Sequence, residues 1–74
     1  MNLKNVHTVP WQGRWTNKRP FQIQVRKTYR QKSDAVKAGR ATARNARSEH
    51  FIHARDGRIL YRNSYGPDLR SDRG

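Results

Sequence analysis

One stretch decides what this chain can fold into: Gln31 to Arg47, QKSDAVKAGRATARNAR. At about 100° per residue it has two clean faces, and the spacing predicts a single helix over this range. Ala35, Ala38, Gly39, Thr42, Ala43 and Ala46 crowd one side, with Val36 at its margin. A face built from such small residues cannot fill a core by itself. It must lie close against a sheet, and the strands must bring the apolar bulk. Lys37, Arg40, Arg44 and Arg47 fall on the opposite side within about 80° of one another, a single basic stripe. Charges on a helix are usually just a solvated face. Ordinary solvated faces mix signs for i,i+4 support, however, and no acid interleaves here. The stripe reads as a binding surface.

The flanking segments supply the strands. Val6 to Pro10, VHTVP, is a short first strand that Pro10 is expected to end. Trp11 to Arg14 is a turn, with Gly13 providing the backbone freedom. Trp15 to Lys18 begins a second strand, which Asn17 to Pro20 interrupts. Phe21 to Val25, FQIQV, then alternates strictly and is the clearest strand pattern in the chain. Arg26 to Arg30 leads on to the helix, with Tyr29 as a staple on its start; Ser33 or Asp34 suits its cap and Gln31 does not.

After the helix, Glu49 to Arg55, EHFIHAR, forms a third strand. Asp56-Gly57 signals a two-residue hairpin turn of the primed type, and Arg58 to Arg62 returns as the fourth strand. The expected fold is α+β: a small antiparallel sheet in strand-strand-helix-strand-strand order, with one helix packed on one face. Residues 1–5 form a flexible lead-in, 6–68 a single domain, and 69–74 a flexible basic tail.

Charge narrows the partners. Seventeen Lys and Arg against five acids give a net charge of +12, and the basic residues run from Lys4 to Arg73. A body this positive repels itself and attracts polyanions: DNA, RNA, anionic lipid or an acidic protein. Arg outnumbers Lys twelve to five. The planar guanidinium fork matches phosphate and carboxylate, although a GC-rich genome would raise Arg as well. The 74 residues allow one small core. With no cysteine there is neither a disulfide framework nor a thiolate metal site, which fits a reducing compartment; the expected location is cytoplasmic. No apolar run approaches the ~20 residues of a membrane span, and the start lacks the apolar region of a signal peptide.

Catalysis is not expected. Asp34, Glu49, Asp56, Asp68 and Asp72 are too scattered for a carboxylate pair, and Ser33, Ser48 and Ser64 sit in no nucleophile context. No glycine-rich phosphate loop appears, so no cofactor is implied. His7, His50 and His53 are the only imidazoles. On a strand, His50 and His53 point to opposite faces and cannot chelate together, so a packing or hydrogen-bonding role is expected for His53 rather than a metal.

The aromatics divide. Trp15 is expected in the core. Trp11, following Pro10, is the better candidate for exposure, where it would stack on a base or anchor an interface, but burial weighs slightly ahead. Tyr61 and Tyr65 lie beside Arg58 and Arg62. Facing outward, they would combine stacking with phosphate contact; facing inward, they would complete the core. Tyr65 is expected to be structural.

The segment IHARDGRI followed by SYG, with HTVP near the start and Trp15 after Gly13, carries a resemblance. It is similar to an uncharacterised family of small bacterial and phage proteins, a domain of unknown function. The matching residues are His7, Val9, Pro10, Trp15, Tyr29, Asp34, Ala35, Ile52, His53, Arg55, Asp56, Gly57, Arg58, Ile59, Ser64, Tyr65 and Gly66. Two departures are Gln31, where the pattern has a capping Thr, and Arg14, inserted between Gly13 and Trp15. The resemblance implies the compact strand-strand-helix-strand-strand domain and no particular activity.

The leading expectation is therefore a nucleic-acid-binding protein. Lys37, Arg40, Arg44 and Arg47 would contact phosphates, Arg26, Lys27 and Arg30 would extend the patch, and Arg55 and Arg58 would probe a groove. Duplex DNA comes before RNA, because no exposed aromatic platform is evident in the sequence. The alternative is a protein-interaction module, or a phage-type inhibitor, docking on an acidic protein surface. Neither reading fixes sequence preference or oligomeric state.

Overall fold

A computed structural model describes residues 2–66. It contains β1 (Val6–Trp11), β2 (Arg14–Lys18), β3 (Thr28–Tyr29), α1 (Lys32–Ala46), β4 (Glu49–His53) and β5 (Ile59–Ser64). The five strands form one sheet in the order β3-β2-β1-β4-β5, with α1 lying chiefly over β1, β2 and β4. This is the expected α+β fold with two departures in the sheet: it has five strands rather than four, β3 being a separate short strand before the helix, and its pairing is mixed. β1 and β4, the central pair, run parallel, with Val6 opposite His50 and Thr8 opposite Ile52. All other pairings are antiparallel. The basic tail expected over 69–74 lies outside the described residues.

The small-residue face of the helix settles as its spacing predicted. Ala35, Gly39 and Ala43 are the buried helix positions. The core they meet is unusually polar. Val6, Trp15 and Ile52 provide its larger apolar side chains, while Thr8, Ser48 and His50 are buried with them. Short side chains on both layers let the helix approach the sheet closely, and each of these buried polar residues makes at least one hydrogen bond.

Several local expectations give way. Pro10 does not end β1, which runs on to Trp11. The pairing with β4 covers only Val6–Thr8, so at Pro10 the strand has one open side, where a residue without an N–H is tolerated. Between Trp11 and Arg14, Gln12 and Gly13 both adopt positive φ (47° and 76°), which makes a two-residue primed turn. The Asp56-Gly57 hairpin is not of that kind. Only Gly57 has positive φ, Gly57 N–H donates to Ala54 O, and Ala54 N–H donates to Arg58 O. That is a three-residue loop with a glycine bulge; a separate register shift follows at Ile52/His53, where Leu60 is passed over between Ile59 and Tyr61. β4 therefore stops at His53 rather than Arg55, and β5 runs Ile59–Ser64 rather than from Arg58.

The largest correction concerns Phe21 to Val25, which is not a strand. β2 and β3 pair Trp15 with Tyr29 and Thr16 with Thr28. Continuing that register would bring Lys18 opposite Arg26, so the chain must reverse within the segment that alternates. Gln22 holds the reversal locally: its Oε1 accepts Arg19 N–H at 3.2 Å and its Nε2 donates to Gln24 O at 2.7 Å. Phe21 takes φ +67°, and Phe21 and Ile23 are left 80% and 88% exposed.

The helix termini also differ from expectation. The N-cap is Gln31, extended at φ −104° with no side-chain cap bond, and Ser33 and Asp34 lie inside the first turn. At the other end Arg47 is left-handed (φ 53°), and Ser48 N–H returns to Ala43 O at 2.9 Å, the Schellman arrangement. Ser48 Oγ donates to Lys4 O and Asn5 Oδ1 accepts Glu49 N–H, which joins the lead-in to the start of β4.

Candidate functional site

Two polar constructions and one basic surface stand out. Beneath the middle of α1, His50, Thr8 and Asn17 form a buried chain. Asn17 Nδ2 donates to Ala35 O (2.9 Å), so its Oδ1 is the acceptor for the Thr8 hydroxyl (2.5 Å). With its only hydrogen committed, Thr8 Oγ1 accepts from His50 Nε2 at 2.7 Å, which fixes the His50 tautomer. His50 Nδ1 is buried without a partner. Burial, then the Arg40 charge, then His7 hold the His50 pKa below its ordinary value. A neutral, inward-facing imidazole of this kind is structural.

On the helix-free face, the Gly57 carbonyl can only accept, so His53 Nδ1 donates to it (2.9 Å). His53 Nε2 is then free to accept from His7 Nδ1, also at 2.9 Å. His7 stacks on Phe51 with ring centroids 4.6 Å apart. His53 thus hydrogen bonds as its position suggested. Among the described residues no three potential ligands cluster for a metal.

The basic stripe lies on the outer side of α1. Lys37, Arg40 and Arg44 are exposed, as is Arg47 at the C-cap. Among the described residues the ion pairs are Arg58–Asp56 (2.8 Å) and Arg62–Glu49 (3.8 Å), and neither involves the stripe. Arg44 and Arg47 also complement the negative end of the helix dipole. That role does not extend to Lys37 and Arg40.

The other sequence candidates scatter. Arg26 and Lys27 line a shallow groove of about 470 Å³ with Trp11 and Ile23, distinct from any surface of α1. Lys27 Nζ stands 5.2 Å from the Tyr29 ring, and Arg30 is exposed just before the helix. At the β4–β5 tip, Arg58 is held by Asp56, whose carboxyl accepts the Arg58 backbone N–H and Nε and is thereby kept below the usual carboxylate range. Arg55 lies 5.9 Å from the Trp15 ring, which Lys32 Nζ approaches to 4.7 Å. That ring brings the hairpin tip beside the start of α1.

The sequence reading missed a groove of about 760 Å³ between α1 and the edge strand β5. Lys32, Lys37 and Arg40 form its helix wall, Val36 and Ile52 its apolar lining, and Tyr61 its β5 side. It exists because the helix lies over the central strands and leaves β5 uncovered. The spacing of Lys32, Val36 and Arg40, four residues apart, was a readable signal for the wall. Tyr61 was readable only as a strand residue of undecided direction. It sits opposite Ile52, on the helix side, and is 63% exposed. No exposed aromatic platform was evident in the sequence, yet Tyr61, Phe21 and Trp11 are all exposed, Trp11 against the slight weight given to burial, while Trp15 is buried as expected.

The fold and surface define a small α+β domain in which, among the described residues, a lone helix presents an outer side that is basic and unpaired. A family described as uncharacterised proteins conserved in bacteria, DUF2188, matches residues 6–65. The chain belongs to that family. Comparison with curated proteins and with solved structures returned no match. No helix among the described residues is long and apolar enough to cross a membrane.

Proposed function

We propose that the protein binds nucleic acid through the outer face of α1, by phosphate contacts that carry little sequence information. The observation that carries this reading is the exposed run Lys37, Arg40 and Arg44, unpaired by any acid among the described residues, in a chain of net charge +12. A straight row of cations on a rigid helix suits the regular phosphates of duplex DNA, with RNA drawing on the same contacts. Arg47 adds support. Its left-handed backbone is a position glycine fills at lower cost, by roughly 1–2 kcal/mol, yet a cation stands there.

The second reading, docking on an acidic protein surface, uses the same cations; the apolar lining of the neighbouring groove favours it over an accidental charge excess. The test is charge reversal. Arg40→Glu with Arg44→Glu should abolish binding to a random duplex while circular dichroism stays unchanged, because both side chains are exposed. Undiminished binding would remove α1 from the interface. A nuclease-treated pull-down that recovers one stoichiometric acidic protein would favour the second reading.

A further inference from the structure

The groove between α1 and β5 has a composition that a phosphate-only interface does not need. Its helix wall carries three cations, Lys32, Lys37 and Arg40, and among the described residues no acid lines it. Its interior is apolar, from Val36 and Ile52, and an exposed tyrosine ring closes it on the strand side. Two of these cations, Lys37 and Arg40, also belong to the stripe, so groove and stripe are one continuous surface.

We infer that this groove takes an unpaired nucleotide. The base stacks on Tyr61 against the apolar lining, and the flanking phosphates lie on Lys37, Arg40 and Lys32. Several observations point to this occupant. The wall is complementary to phosphate in sign. An aromatic face is the one partner every base accepts regardless of sequence. In a fully paired duplex the bases are stacked on one another and cannot enter a groove about 760 Å³ in volume, whereas an unpaired one can turn into it. Lys32 is also held in place, since its Nζ rests 4.7 Å from the Trp15 ring and the charge stands at the groove's edge before any ligand arrives.

This inference rests on the nucleic-acid reading and narrows it. The stripe alone does not distinguish duplex from single strand; Tyr61 does. The preferred ligand becomes a single strand, or a duplex carrying unpaired bases.

The test compares two labelled probes by fluorescence anisotropy on full-length, nuclease-treated protein: a single strand of about 12 nucleotides and a blunt duplex of equal length. Tyr61→Ala should weaken single-strand binding about 5- to 150-fold and leave duplex binding within about twofold, while Tyr61→Phe, which keeps the ring, should match the parent. Since Tyr61 is largely exposed, thermal melting of both variants should follow the parent. Equal single-strand affinity for Tyr61→Ala and the parent, or an equal loss on both probes, overturns the groove assignment and leaves the stripe reading standing. Absence of binding to either probe by the parent protein overturns both. Tyr61-dependent binding of a labelled acidic peptide, with none to either oligonucleotide, assigns the groove to a protein ligand instead and also overturns the inference.

Discussion

Gly39 and His50 are in closer apposition than any side chain on the helix would permit. A Cβ built on Gly39 would stand 2.7 Å from His50 Nε2, with Asn17 Oδ1 at 2.6 Å and Thr8 Oγ1 at 3.0 Å. The missing side chain is therefore what lets α1 close over the hydrogen-bonded chain of His50, Thr8 and Asn17. Gly39→Ala should destabilise the protein by about 1–5 kcal/mol. Overpacking and a broken buried hydrogen bond each cost roughly 1–3 kcal/mol, and alanine's better helix propensity returns about 1 kcal/mol. Urea denaturation measures it. A midpoint equal to or above the parent's would show that the helix does not sit this close.

Arg47 offers the opposite sign. Replacing it with glycine relieves a left-handed, non-glycine backbone and should raise stability by up to about 1 kcal/mol. The same change deletes one cation of the stripe, so affinity for nucleic acid should fall as stability rises. Melting and anisotropy on one preparation read both. A variant that gains stability with no loss of affinity would leave Arg47 with no part in binding.

The loop at Phe21 and the core at Ile52 should respond differently to mutation. Phe21→Ser and Ile23→Ser remove side chains already 80% and 88% exposed, and each should change stability by no more than about 0.5 kcal/mol. Ile52→Ala, at a position only 7% exposed, should cost about 2–5 kcal/mol. Comparable losses at all three positions would mean that FQIQV packs as a strand after all.

Acid should loosen the fold before its carboxylates titrate. Burial lowers the pKa of His7 and of His50 from the usual 6.5; His53 adds to the effect at His7, and Arg40 and then His7 add at His50. The native state then binds fewer protons than the unfolded chain as pH falls past that value. Their contribution is complete above the unfolded pKa and is lost as pH falls through the depressed native ones. Urea midpoints should decline between about pH 7.5 and about pH 5.5. A constant midpoint across that interval would contradict the neutral buried imidazoles.

What could be read in the chain was whatever a single element decides for itself. The faces of α1, the Gly13 turn and the strand-helix-strand order follow from local spacing, and Ala35, Gly39 and Ala43 are buried where the helical period put them. Long-range pairing was not legible. The strict alternation of Phe21 to Val25 is what a strand would show, but the register of β2 with β3 makes that segment the reversal. The parallel β1–β4 contact joins residues more than forty positions apart. Thr8, Asn17 and His50 look like surface residues until the helix is placed over them. The stripe cations were legible, but the groove beside them depends on how far α1 covers the sheet, and only the packed structure reveals that.

The central claim is that the outer side of α1 meets phosphates. Its most direct measurement is the affinity for a labelled random duplex from about 50 to about 200 mM salt. Three helix cations, or four with Arg47, predict a log–log slope of about −2.7 to −3.6, at roughly −0.9 per phosphate contact. Binding that weakens along that slope supports the assignment. No binding at the low-salt end, or an affinity indifferent to salt, would contradict it.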